Sequence, residues 1–269
     1  MASIFDLCTK QGTTPETQNF VLVAGDRAYW TNNFVLCATE APEDLKGPTE
    51  RWYNRDAVGV QEPWTTLNEK RYEELLAKHL KPESVSGDLS VASIEGLVPL
   101  WDFVNYTSIS AYTNGGGNVC CAIDTIEDFA YFGSKILRTF LKACKILKIG
   151  TCSVYFKEPS RALEGARVAV LRGYNSETNS VAIALGYIPK GTPEGSECLS
   201  DKLGAIVLNA CPDHIGIEYF GDADCEKPRQ EGESYADFLK RYALEGAHEQ
   251  KEIDKVNKMY NRITKYNVI

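Results

Sequence analysis

The chain has 269 residues, 37 Asp and Glu against 29 Lys and Arg, a formal charge of -8 and 43% hydrophobic residues. That length buries a core without disulfide or metal staples, while the acidic balance argues against a general nucleic-acid coat, whose contacts are dominated by Lys and Arg. Three His leave little room for His-based triads or metal sites.

Residues 1–10 lack the basic start and apolar run of a secretory signal. No stretch reaches the ~18–20 apolar residues of a membrane span. The expected location is cytoplasmic or intracellular, including a viral particle or inclusion. Residues 19–24 (Asn-Phe-Val-Leu-Val-Ala) and 33–38 (Asn-Phe-Val-Leu-Cys-Ala) predict a hairpin with turns at Gly25-Asp26 and Asn32-Asn33. Residues 41–63 are rich in Pro, Gly and charge and predict a loop pinned to the body by aromatics such as Trp52, Tyr53 and Trp64. Leu67, Tyr72, Leu75, Leu76 and His79 recur at helical spacing, which predicts a helix over 68–80 that Pro82 ends. Short strands are expected around 89–94 and 103–109. The run 112–118 is a turn, and 113–118 is where an internal boundary would fall within an otherwise single domain of 1–269.

Asp124 and Glu127 have capping-box spacing. They open a predicted long central helix over about 124–148, with Phe129, Phe132, Ile136, Phe140, Cys144 and Leu147 on its apolar face and Gly150 as its stop. Strands follow at 151–156, 167–171, 180–188, 204–208 and 215–220, with a turn over 174–180. Ser234 and Asp237 start a short helix that Gly246 breaks, and 249–265 is a last amphipathic helix with Ile253, Val256, Met259 or Tyr260, and Ile263 inward. Strands cluster instead of alternating with helices. The fold class is therefore α+β: mostly antiparallel strands, a long central helix and C-terminal helices.

Nine cysteines at irregular spacing, without a Cys-x-x-Cys pair, read as small reduced core residues and not as a disulfide framework. The strongest charge feature is a basic row, Lys135, Arg138, Lys142, Lys145 and Lys148, spaced so that all five share one helix face. It reads as a docking strip for an acidic or phosphorylated partner, or as the solvated side of an amphipathic helix. Residues 218–254 hold eleven carboxylates against five Lys and Arg, so a second copy could supply the acidic partner. Asp222-Ala-Asp224-Cys-Glu226 resembles the start of a calcium loop but has Lys227 where the turn needs Gly. Gly115-Gly116-Gly117 lacks the Gly-Lys-Ser/Thr end of a phosphate loop. His79, His214 and His248 stand apart from one another, and Asp213-His214 beside Cys211 is the one local cluster of reactive types.

Two segments, Lys148-Ile149-Gly150-Thr151-Cys152 and Ala184-Leu185-Gly186-Tyr187-Ile188-Pro189, are similar to motifs in the second half of the flavin-dependent nitroreductases. That resemblance, over residues 133–188, implies an FMN site and a homodimer. The basic Arg-Arg-Ser-like flavin motif of that family has no counterpart in residues 1–18.

No motif fixes a reaction, so an enzyme is not expected, and no catalytic residue, cofactor or metal is assigned. Three functions fit the sequence. The leading expectation is a viral structural protein that self-assembles, of capsid, matrix or occlusion-body (polyhedrin-type) class, partnered by itself in an oligomer or lattice. The alternatives are an FMN-dependent oxidoreductase and an intracellular binding module that uses Lys135, Arg138, Lys142, Lys145 and Lys148. Under the leading expectation Trp52, Tyr53, Trp64 and Trp101 divide between core and subunit contacts.

Overall fold

The computed structural model of the chain describes residues 3–9, 16–80, 87–96, 120–124, 129–157, 168–187, 205–209, 217–220 and 230–264. The described strands, in chain order, begin with β1 (Val21–Gly25), β2 (Arg27–Thr31), β3 (Val35–Glu40), β4 (Gly47–Tyr53), β5 (Gly59–Val60) and β6 (Gly87–Ser90). They continue with β7 (Cys120–Asp124), β8 (Phe129–Gly133), β9 (Thr151–Lys157), β10 (Val168–Asn175), β11 (Ser180–Tyr187), β12 (Ala205–Asn209) and β13 (Ile217–Phe220). The helices include α1 (Glu69–Leu80), α2 (Ser134–Ile146), α3 (Tyr235–Glu245) and α4 (Gln250–Thr264), and residues 91–96 are also helical where a strand around 89–94 is expected from the sequence. The chain divides into two compact units: Met1–Val91 with Ile136–Lys157 and Val168–Leu185, and Ala92–Lys135 with Glu158–Arg167 and Gly186–Ile269.

In the first unit the strands lie in the order β5-β4-β1-β2-β3-β11-β10-β9-β6. The pairs β1–β2, β2–β3, β3–β11, β10–β9 and β9–β6 are antiparallel. The two near-identical segments do not pair with each other. Arg27–Thr31 forms a strand between them, so Leu22 faces Tyr29 and Trp30 faces Cys37 in a meander. Gly25, at φ 60°, opens the tight loop between β1 and β2, a conformation that costs glycine least. The predicted loop over 41–63 contains β4, whose Trp52 pairs with Leu22. Trp52 and Tyr53 are buried, so these aromatics do hold the segment to the body.

Both faces of this sheet are covered, and the side-chain pattern shows it. Leu22, Leu36, Val170, Val181 and Ile183 join one core cluster with Tyr72 and Leu76 of α1. Successive strand residues point to opposite faces, yet their neighbours Val21, Val35, Cys37, Ala182 and Ala184 are buried as well. On that second face lies α2: a Cβ added at Gly173 would sit 2.6 Å from Ile149 Cγ2 and 3.6 Å from Cys144 Sγ. Doubly covered strands read as continuous apolar runs, not as alternation. On the α1 side, Tyr29 stacks on Tyr72 with ring centroids 5.1 Å apart and donates its hydroxyl to Glu73 Oε1 at 2.6 Å. Burying a side chain such as Leu76 contributes roughly 1.5–3 kcal/mol.

The α+β class holds, with mostly antiparallel strands, but the long central helix over 124–148 does not. Its first half is the hairpin β7–β8, with Cys121 opposite Phe132 and Ile123 opposite Ala130, and helix begins only at Ser134. Apolar residues through 123–147 satisfy helical spacing, but Phe-Ala-Tyr-Phe-Gly is an aromatic strand ending on a glycine, and strand pairing decides there. Asp124 is the last residue of a strand. The helical stop also differs from the expected Gly150. Lys148 takes the left-handed position at φ 54°, while Ile149 N–H returns to Cys144 O at 2.8 Å, the six-to-one bond of a Schellman end.

In the second unit β12 runs parallel to β7 and antiparallel to β13, and β8 is the antiparallel partner of β7. Ser234 caps α3 as expected: its hydroxyl accepts from Asp237 N–H at 3.1 Å. Helix α4 turns Val256 and Ile263 inward. Arg241 grips Glu233 with two bonds of 2.8 Å, and Lys240 Nζ lies 4.2 Å from the Tyr260 ring centroid. The strands expected at 151–156, 167–171, 180–188, 204–208 and 215–220 are all present within a few residues of those bounds. Residues 103–109 and 113–118 lie outside the described residues. Among the described residues no helix is long and apolar enough to cross a membrane.

Candidate functional site

The basic row survives the shortening of its helix. Lys135, Arg138, Lys142 and Lys145 lie on α2 and Lys148 on its left-handed end, and all five are exposed. The opposite side of the helix carries Leu137, Phe140, Leu141 and Cys144, all buried, so packing fixes which way the cations face. Lys142 donates to the main-chain carbonyl of Asp6, which anchors the middle of the row to the N-terminal turn. Asn175 holds the end of the row by donating from Nδ2 to the carbonyls of Lys148 at 3.0 Å and Leu147 at 3.3 Å.

Composition separates this helix from the others. An ordinary solvated face mixes signs and forms pairs along the helix, as α1 does with Arg71 and Glu74 at 3.0 Å. From Phe129 to Lys157 the sequence has six Lys and Arg and no Asp or Glu. A single-sign row of this kind leaves α2 without a carboxylate of its own to neutralise it. Neither Lys145 nor Lys148 pairs with a carboxylate among the described residues.

Among the described residues, two of the concave regions border the sheet of this unit. A cleft of about 180 Å³ lies at the C-terminal end of α2, lined by Thr39, Glu40, Lys148, Thr178 and Ser180 among others. Its hydroxyls bond to one another, Thr39 to Ser180 at 2.6 Å and Thr178 to Ser180 at 2.8 Å. Glu40, bound to Lys46 at 2.7 Å, brings negative charge into this cleft, so it does not extend the cationic surface. The second is a cavity of about 150 Å³ between α1 and the sheet, lined chiefly by Phe34, Leu36, Leu67, Leu75, Ile183 and Leu185, with Asn33 and His79 as polar neighbours. Nothing in the hydropathy pattern marks it, because its lining comes from three separate stretches of chain, 31–36, 67–79 and 183–185.

The other sequence candidates contribute no cluster. Cys8, Cys37, Cys144 and Cys152 are buried free thiols, as the core reading expects. Burial pushes the Cys8 and Cys152 thiols up to about 12, so neither is a ready nucleophile at neutral pH. His79 is buried at the end of α1, and His248 is an exposed residue just before α4. Asp213-His214 with Cys211, residues 222–226 and Gly115-Gly116-Gly117 lie outside the described residues. Among the described residues no group of three His, Cys, Asp or Glu is placed to hold a metal. The nitroreductase-like segments fall at the start of β9 and along β11.

No family model matches the chain, and neither does any curated protein sequence. Among solved structures it is similar to a DnaN sliding clamp (DNA polymerase III subunit beta) from Pseudomonas aeruginosa, at 7% identity and a TM-score of 0.41, over 67% of this chain and 60% of that one. A putative DNA polymerase III beta subunit from Eubacterium rectale gives 7% identity and a TM-score of 0.37, over 69% and 61%. The chain thus spans about three fifths of the length of the clamp subunits it matches. These neighbours are clamp subunits and not viral structural proteins, which corrects the expectation of a self-assembling capsid, matrix or occlusion-body protein. Among the described residues, several of the aromatics that favoured that expectation are core: Tyr29, Trp30, Trp52, Tyr53, Tyr72 and Tyr155 are buried.

Proposed function

We propose that the chain is a binding module for duplex nucleic acid, which it contacts through its phosphate backbone by the face of α2 that carries Lys135, Arg138, Lys142, Lys145 and Lys148. The observation that carries this reading is the single sign of the row: five exposed cations on a stretch with no carboxylate, in a chain of net charge -8. From Lys135 to Lys145 the row spans about 15 Å at roughly 1.5 Å per residue. A duplex offers about nine phosphates over that length, one per ~1.7 Å of axis. A duplex presents this charge continuously whatever its sequence, which is why the phosphate backbone is preferred over an acidic protein.

The net acidity of the chain does not oppose a local contact. At physiological ionic strength charges are screened beyond about 8 Å, so the row acts on its immediate surroundings. The reading concerns the position-fixing part of recognition. Lysine-rich contacts to phosphates fix register but carry no sequence information.

The test is anisotropy of a labelled duplex titrated with the full chain between about 50 and 200 mM salt. The expected log–log salt slope is roughly -4 to -5 for five phosphate contacts, and Lys142→Gln with Lys145→Gln should reduce its magnitude by about two. Absence of binding at the low-salt end would overturn the proposal. So would binding that ignores both substitutions, or a polyglutamate peptide that binds better than the duplex.

A further inference from the structure

The α1 side of the sheet carries a hole, and the segment leading into α1 carries a knob. The hole is the cavity of about 150 Å³ rimmed by Phe34, Leu67, Leu75 and Leu185. Its lining is chiefly apolar, with Thr31, Asn33 and His79 as polar members, and a space near this volume accepts a benzene-sized ring. Phe34 at its mouth is 57% exposed, an apolar surface left uncovered by the fold. The knob is Trp64, whose side chain is 97% exposed. Its backbone is nevertheless held. Pro63 beside it is buried, and Leu67 N–H bonds to Thr65 Oγ1 at 3.1 Å. A ring presented outward by an anchored segment forfeits the burial of ~150–250 Å² that an aromatic side chain ordinarily achieves.

Knob and hole lie close together on one chain. Trp64 is three residues from Leu67 of the cavity lining, at most about 10 Å along the backbone. That proximity suits a two-fold arrangement, in which a patch meets its own copy and each side supplies what the other lacks. We propose that a second copy of this chain docks here: the benzo ring of Trp64 from each subunit enters the cavity beside α1 of the other. The indole N–H then lies at the cavity mouth near the polar groups of Asn33 and His79. This surface is on the face of the sheet opposite α2, so it goes beyond the proposed phosphate contact and leaves that contact accessible.

Sedimentation velocity of the full chain over a wide concentration range tests the proposal, with tryptophan emission recorded on the same samples. The expected result is a reversible dimer whose formation shifts the emission to the blue. Trp64→Ala should weaken association roughly twentyfold or more, as loss of a central aromatic anchor does, and should leave duplex binding by the single subunit unchanged. Leu75→Phe, which fills the hole and keeps the knob, should weaken association similarly. Trp64 is a surface residue, so its substitution separates an interface effect from a folding defect. A chain that stays monomeric throughout overturns the proposal, as does a dimer indifferent to Trp64→Ala. A blue shift that does not depend on concentration overturns it too, because the ring would then be filling the cavity of its own chain.

Discussion

Asn175 donates from its side-chain amide to the carbonyl of Lys148 at 3.0 Å, tying the end of β10 to the last turn of α2. The same amide reaches Leu147 O at 3.3 Å, and its Oδ1 accepts from Glu177 N–H at 3.0 Å. One side chain therefore closes a helix end and shapes the β10–β11 turn. Asn175→Ala removes all three bonds. Each is worth about 0.5–1.5 kcal/mol net, and solvent recovers part of that at this partly exposed site. A loss of about 1–2 kcal/mol in urea unfolding is expected, and an unchanged midpoint would show that water replaces the amide fully.

Lys148 occupies a left-handed position, φ 54°, that costs a side-chain-bearing residue roughly 1–2 kcal/mol. Lys148→Gly should therefore stabilise the first unit, by about 1 kcal/mol after the greater entropy of the unfolded glycine is counted. The same substitution removes one cation from the row. If that row contacts phosphates, the magnitude of the salt slope of duplex binding falls by about one while stability rises. Opposite signs in the two measurements separate a binding role from a structural one.

Gly173 sits where α2 approaches the sheet. An added Cβ would lie 2.6 Å from Ile149 Cγ2, and Ile149 is buried, so the neighbour has little room to move. Gly173→Ala should destabilise by about 1–3 kcal/mol through overpacking. Pairing it with Ile149→Leu, which is unbranched at Cβ and so lacks the Cγ2 methyl, should restore part of the loss. Additive losses in the double variant would locate the strain elsewhere.

Stability should fall in alkali, and the sign follows from the buried acids. Burial lifts the Cys8 and Cys152 thiols from 9.0 to about 12 and the Tyr155 hydroxyl from 10.0 to about 12. Cys37, Cys144, Tyr29 and Tyr72 are raised in the same direction, burial again being the leading cause. The folded state keeps these protons while the unfolded chain releases them near the ordinary values. Their contribution is complete below about pH 9 and is lost as pH rises from about 9 to 12. Urea midpoints should be level between about pH 7 and 8 and drop steeply by about pH 11. A flat profile to that pH would mean the thiols and phenols titrate as if exposed.

Local chemistry was enough for much of the chain. Tyr72, Leu75, Leu76 and His79 repeat at helical spacing and do form α1. Ser234 with Asp237 caps α3, and the apolar runs from Thr151 onward are strands. These features depend on residues a few positions apart, where spacing and capping speak directly. The stretch over 124–148 shows where that ends. Its apolar residues fit a helix throughout, but Cys120–Asp124 and Phe129–Gly133 pair as strands, and pairing partners are not visible in a run of hydrophobic residues.

The basic row divides along the same line. Its composition and its common face follow from sequence spacing alone, since Lys135, Arg138, Lys142, Lys145 and Lys148 recur at three and four. Only the tertiary structure decided that the face is exposed, because the burial of Leu137, Phe140, Leu141 and Cys144 sets how α2 is turned. The cavity beside α1 was decided wholly at that level. Phe34, Leu67, Leu75 and Leu185 are far apart along the chain and become one surface only when β3, α1 and β11 pack together. Aromatic count could not tell Trp52, buried at 4% exposure, from Trp64, left out at 97%. Composition determines how much apolar surface a chain carries, and packing alone determines which part of it remains uncovered.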